Sequence, residues 1–337
     1  MEREPNLQAD EPAPATSARS SNPGRAAMIK FARRQGLIVV LLGLIVAFSI
    51  TSPYFLDSRN LLNVGGTAGV LGLMAITQTF LVISGGIDIS VGSAVAVTGV
   101  ILGALVVAGL PIWVAVFVVL LIGLGIGSLN GFITVRLHVA PLVTTLGTYS
   151  IFLGLAFVIA GGTQVLTLDD PLFKFIGSGR LGPVPFTLIL FIVAWLAGLF
   201  IERKTTFGRA VYAIGGNLEA ARLSGIQTDL VRFSLFLASG LAASIVGVIL
   251  VSQLATASPN VGGSYLLAVV TAVILGGASL AGGRGSLVGT LIAVAILGVL
   301  QNGFALLEFS AFMQNLVLGI LLIFAVLLDQ GLRRLED

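Results

Sequence analysis

The chain has 337 residues, of which 56% are hydrophobic and only 10% charged, and its mean hydropathy is +1.07. Soluble domains carry about 25% charged residues, so this composition excludes an ordinary soluble fold and points to an all-α, polytopic transmembrane helical bundle. The absence of Cys excludes disulfides and a Cys metal site, and the formal charge of +3 is carried by loop residues that orient membrane spans rather than by a nucleic-acid surface.

Residues 1–35 are rich in Pro, Ser, Ala and charge and show no apolar period, which predicts a disordered cytoplasmic tail. The apolar run from Leu37 ends in Pro53-Tyr54-Phe55 with no small-residue cleavage pattern, so it reads as an uncleaved first span. About ten spans follow from hydropathy, near 36–52, 61–83, 91–109, 111–134, 141–160, 184–201, 231–254, 264–280, 286–304 and 311–328. They make up a transmembrane domain over 36–330, interrupted by a polar loop at 202–230 and followed by a short tail at 331–337. The boundaries are weakest at two Gly-rich junctions, 84–92 and 276–286, which are either plain loops or broken segments buried by protein. The two junctions echo one another, Val82-Ile83-Ser84-Gly85-Gly86 against Val273-Ile274-Leu275-Gly276-Gly277, with the same orientation. Any duplication is therefore parallel rather than inverted.

Charge supports this map. With the N-terminus inside, fifteen of the eighteen Lys and Arg fall in cytoplasmic segments, and only Arg59, Lys174 and Arg180 lie outside. Both termini and the polar loop are then cytoplasmic. Every Asp and Glu falls in a loop, a tail or at a span end, so the intramembrane charges typical of ion-driven carriers are not evident. No G-x-x-x-x-G-K-[ST] phosphate loop occurs, and His138 is the single His, with no metal-ligand spacing around it. No metal, cofactor or catalytic constellation is expected, and the energy source is expected to lie in another chain.

The most informative segment is Thr206–Ile226, TFGRAVYAIGGNLEAARLSGI, a polar island between apolar runs. Within it, Asn217 is a good N-cap, Glu219 sits where a helix dipole favours an anion, and Gly225 can end the helix. A helix this short is marginal alone. The wording Glu219-Ala220-Ala221, then Gly225, resembles the cytoplasmic "EAA" loop of ABC importer permeases. The lead-in, Phe207-Gly208-Arg209 and Ala213-Ile214-Gly215-Gly216-Asn217, is similar to the ribose, galactose and xylose importer branch. This resemblance implies that the loop docks on a cytoplasmic ATPase subunit, with Arg209, Asn217, Glu219, Ala220, Ala221, Arg222 and Gly225 as coupling residues. It further implies an extracytoplasmic sugar-binding protein as the donor of substrate, and a homodimer of the permease.

The first junction, Gly85-Gly86-Ile87-Asp88-Ile89-Ser90-Val91-Gly92-Ser93, also resembles a string typical of sugar importer permeases. With Asn130-Gly131, the resemblance runs from about Leu37 to Leu328. Asp88 or Ser90 either caps the helix that follows or, with Gly85 and Gly86, belongs to a cytoplasmic gate or a second ATPase contact. Substrate-path candidates are the polar side chains inside the spans, among them Asn63, Gln78, Asn130, Tyr149, Gln253, Gln301 and Asn302. Each serves either as helix–helix glue or as a sugar-hydroxyl partner. The expected function is thus a monosaccharide permease, ribose-like, of an ATP-driven importer in the bacterial inner membrane, and not itself an enzyme. The alternative is a secondary carrier or facilitator for a small polar solute.

Overall fold

A computed structural model describes residues 23–161, 165–167 and 170–336 of the chain. The long helices are α1 (Pro23–Thr51), α2 (Ser58–Ile83), α3 (Val91–Val107), α4 (Ile112–Gly131) and α5 (Pro141–Ile159). A short α6 (Pro171–Ser178) leads to α7 (Phe186–Lys204), after which two small helices, α8 (Thr206–Gly216) and α9 (Leu218–Leu223), fill the polar island. The chain ends with α10 (Thr228–Leu254), α11 (Gly262–Leu275), α12 (Leu287–Leu306) and α13 (Ala311–Glu336). Strand structure among the described residues is limited to β1 (Val165–Thr167) paired antiparallel with β4 (Thr256–Ala257), and β2 (Arg180–Leu181) paired with β3 (Val184–Pro185).

Six helices are long and apolar enough to cross a bilayer: α2, α4 with the π-helical turn Phe132–Arg136 that extends it, α5, α7, α10 and α12. Four shorter apolar helical stretches accompany them, at Gly36–Thr51, Val91–Val107, Gly262–Leu275 and Phe312–Leu327. The molecule is therefore an all-α membrane protein. Its first helix begins at Pro23, inside the segment expected to be a disordered tail, and the rest of that segment lies outside the described residues.

The bundle is built around α2. Its apolar window is 89% buried, against 72% for α10 and only 22–28% for α4, α5 and α7. The outer helices thus turn most of their apolar surface outward, as lipid-facing helices do, while α2 packs against α7, α10, α11 and α12. Glycine makes the closest approaches possible. A Cβ on Gly127 of α4 would lie 2.4 Å from the Phe236 carbonyl oxygen of α10, and one on Gly240 would lie 2.2 Å from the Gly123 carbonyl oxygen. Backbones meet there without intervening side chains, which in lipid, where hydrophobic burial gives little drive, supplies the dispersion contact that holds helices together.

Candidate functional site

The polar island is two helices rather than one, and they differ in burial. Thr205 starts α8, its hydroxyl accepting a hydrogen bond from the Gly208 amide at 3.1 Å. Gly208, Val211 and Ile214 face inward, while Arg209 is exposed. Asn217 caps α9 as its residue type suggested: its side-chain oxygen accepts from the Ala220 amide at 3.0 Å. At the other end the Gly225 amide bonds to the Arg222 carbonyl at 3.0 Å and the Ile226 amide to the Ala221 carbonyl at 3.1 Å, with Gly225 at φ +83°. That is a Schellman end, which satisfies two carbonyls and requires the left-handed residue that Gly supplies.

Only Ala221 of α9 is buried. Glu219, Ala220 and Arg222 are exposed, and Leu223 is 80% exposed. Glu219 has no partner among the described residues, whereas Arg222 pairs with Asp229 at 3.2 Å. A cleft of about 720 Å³ opens beside it, lined by Phe132, Val135, Arg136, Arg222, Asp229 and Phe233 among others. The capped helix thus presents Leu223 and the Glu219 carboxylate outward.

The inner helix, α8, reaches the two Gly-rich junctions. A Cβ on Gly215 would lie 1.7 Å from the Ile83 carbonyl oxygen, at the end of α2, and 2.4 Å from the Gly283 amide nitrogen in the second junction. The junctions are also bonded directly, from the Gly283 amide to the Ile83 carbonyl at 2.8 Å. Their echo in sequence is matched by an echo in geometry. Gly85 bonds back to Val82 and Gly86 to Leu81, just as Gly277 bonds back to Ile274 and Ala278 to Val273. Both helices end in the same Schellman turn, with Gly85 at φ +79° and Gly277 at φ +99°.

Asp88 departs from the capping expectation. It does not cap α3, whose first turn receives no side-chain bond from Ser90 either. Instead the carboxylate is 1% exposed and accepts three hydrogen bonds: from the Ser90 amide at 2.9 Å, the Ser90 hydroxyl at 2.6 Å and the Ser239 hydroxyl of α10 at 2.7 Å. Asn130 of α4 donates to the Ser90 hydroxyl at 2.8 Å, and Thr145 of α5 reaches the Ile87 carbonyl at 3.3 Å. Ser239 stands 11 residues beyond Thr228, the first residue of α10, or about 16 Å along that helix. Asp88 thus lies in the α2–α3 connection, where the sequence puts it, but it is buried there because that connection folds inward against α4, α5 and α10. Asp88 and Ser90 are buried, while Gly85 remains exposed.

A family model described as "Branched-chain amino acid transport system / permease component" matches residues 60–326. The chain belongs to this permease family. It is 38% identical over 299 residues to the ribose import permease protein RbsC of Bacillus subtilis, covering 88% of this chain and 93% of that one. It is 37% identical over 310 residues to RbsC of Haemophilus influenzae, covering 90% and 95%. The L-arabinose ABC transporter permease protein AraH of Azospirillum brasilense is 33% identical over 306 residues, covering 91% and 90%. No solved structure matches the chain.

In this permease most of the polar side chains picked out as path candidates already have intramolecular partners. Gln78 bonds to both the carbonyl and the amide of Asp88, fixing the first junction. Asn302 exchanges two side-chain bonds with Asn60, at 2.8 and 3.0 Å. Gln253 donates to the Gly177 carbonyl at 3.1 Å, tying α6 to α10, and the exposed Asn63 accepts from Arg180. Asn130 keeps one buried oxygen without a partner. Tyr149 and Gln301 are half-buried and make no hydrogen bond with the described residues.

Several residues of the site carry no sequence signal. Ser239 and Thr145 are ordinary hydroxyls inside apolar runs, and Glu202, at the end of α7, reads as one more charge at a span boundary. In the structure Glu202 is 8% exposed and accepts from the Tyr212 hydroxyl at 2.8 Å and the Leu287 amide at 3.1 Å. Burial, and secondarily the Glu202 carboxylate beside it, raise the Tyr212 phenol above its ordinary pKa, so Tyr212 stays a neutral donor.

Proposed function

We propose that this chain is the transmembrane permease subunit of an ATP-driven importer that carries a monosaccharide of the ribose type into the cell. The observation that carries the reading is the exposed, doubly capped α9 standing on α8, which in turn touches both Gly-rich junctions. A solvated linker needs neither the caps nor the contact. The relatives named for ribose and L-arabinose support a pentose as the substrate. On this reading a cytoplasmic ATPase grips α9 around Glu219 and Leu223, an extracytoplasmic sugar-binding protein delivers the substrate, and two copies of the permease form the pathway between them. The ten apolar helices span the membrane with both termini in the cytoplasm, as the fifteen-to-three division of basic residues supports. The permease itself hydrolyses nothing. A secondary carrier is the less favoured reading, since the matching family model describes a transport-system permease component and a relative is named an ABC transporter permease.

Co-purification of the ATPase with Glu219→Ala and Gly225→Val permeases tests the proposal. Glu219 contributes only about 0.3–1 kcal/mol through the helix dipole, so its variant reaches the membrane normally. Val at φ +83° is strained and distorts the end of α9. Both variants are expected to retain less ATPase and to lose hydrolysis stimulated by the loaded binding protein. Full ATPase recovery and full stimulation in both would remove α9 as the docking element.

A further inference from the structure

We infer that Tyr212 and Glu202 are positioning residues that transmit movement of the cytoplasmic α8–α9 element to the N-terminus of α12. This rests on the reading of α8–α9 as the face that meets the ATPase, and it adds a route inward from that face.

Three elements converge on one carboxylate oxygen. Glu202 closes α7, Tyr212 projects from the middle of α8, and Leu287 opens α12. Glu202 Oε1 accepts from the Tyr212 hydroxyl at 2.8 Å and from the Leu287 amide at 3.1 Å. The same hydroxyl lies 2.9 Å from the Gly285 carbonyl, just ahead of α12. Leu287 carries one of the amides that a helix start leaves without an intrahelical partner. Ser286 already caps α12 through the Gly289 amide at 3.1 Å, so the carboxylate from α7 is an additional acceptor brought in from another helix. A negative charge there also suits the helix dipole.

The placement is hard to explain as surface solvation. Glu202 is buried, and its second oxygen, Oε2, has no partner among the described residues. An unsatisfied buried acceptor is costly. Held beside two donors, it offers the carboxylate a second arrangement: rotation keeps one donor as the other departs. Tyr212 stands three residues before Gly215, one turn of α8 away. Gly215 presses on the Ile83 carbonyl and the Gly283 amide with no side chain between. Displacement of α8 therefore meets backbone directly at Gly215. It passes through Gly215 to both junctions and through Tyr212 and Glu202 to α12.

The test uses the permease–ATPase complex in proteoliposomes. The chain has no Cys, so Ala281→Cys, at an exposed position in the second junction, is a single reporter whose maleimide labelling rate is measured with and without ATP. In the otherwise native permease ATP is expected to change that rate. Tyr212→Phe is expected to reduce the ATP-dependent change about tenfold, the scale of one charge-assisted hydrogen bond, with ATPase co-purification unchanged. Glu202→Gln is expected to reduce it as well. An undiminished ATP response in both variants overturns the inference, as does an absent response in the native permease with the ATPase bound. Failure of both variants to accumulate in the membrane would assign the pair to folding and overturn it too. Failure of the native permease to retain the ATPase would instead sink the reading of α8–α9 as the docking face.

Discussion

Gly215 and Gly216 are adjacent in sequence but should respond oppositely to one added methyl group. In Gly215→Ala the new Cβ would meet the Ile83 carbonyl oxygen at 1.7 Å and the Gly283 amide at 2.4 Å, where ordinary contact begins near 3.4 Å. The end of α8 must then withdraw by about 1.7 Å, because both obstacles are backbone and neither can rotate aside. Overpacking of this kind costs about 1–3 kcal/mol. Loss of the bond from Gly283 to Ile83 adds about 1 kcal/mol, and the better helix propensity of Ala returns at most about 1 kcal/mol. The net is a destabilisation of about 1–3 kcal/mol, concentrated where α8 meets both junctions. Gly216→Ala meets nothing within 4 Å, so it should be neutral or slightly stabilising. Apparent melting temperature in detergent, with sugar uptake in proteoliposomes containing the ATPase and binding protein, separates the two. Melting should fall and uptake should collapse for Gly215→Ala alone. Wild-type melting and uptake in Gly215→Ala would show that α8 can move off the junctions freely, and the argument for a tight contact would fail.

Asp88→Ala should lower accumulation of folded permease sharply, since it strands three donors in the interior at about 1–3 kcal/mol each; Asp88→Asn, which keeps one acceptor oxygen, should fall between, and fluorescence-detected size exclusion would reveal a wild-type Ala variant if the carboxylate is dispensable. In intact cells, Ser178→Cys should label with an impermeant maleimide from outside and Ser224→Cys only after permeabilisation; labelling of Ser224→Cys in intact cells would place α8–α9 away from the cytoplasm. Both serines are exposed, so access is not limited by packing.

The long apolar runs made the membrane class and most helix positions readable, because about 20 apolar residues in succession have few other uses. Asn217 and Gly225 were readable too, since capping is local chemistry written at fixed offsets. The burial of Asp88 was not. A carboxylate flanked by glycines looks like a surface turn, and only the approach of α4, α5 and α10 turns it into an interior acceptor. The polar residues within the spans were visible as a set but not in their roles. Gln78, Gln253 and Asn302 find partners 10, 76 and 242 residues away, distances that no local pattern encodes. Tyr212 and Glu202 were hidden for the same reason, their significance residing in the start of α12.

The position of α2 has a consequence for how the protein is made. It is the most enclosed of the six long spans and also the least hydropathic, at 1.7. Yet it is synthesised second, and the helices that enclose it, α7, α10, α11 and α12, all follow it in the chain. During biogenesis α2 therefore leaves the ribosome long before its neighbours exist, with the Thr290 hydroxyl of α12 that Thr79 meets at 2.8 Å still unmade. Its marginal apolarity must suffice for integration, or the insertion machinery must shelter it until more than a hundred further residues have been translated. The wait is bounded below by the arrival of α7, at Phe186, and ends only with α12.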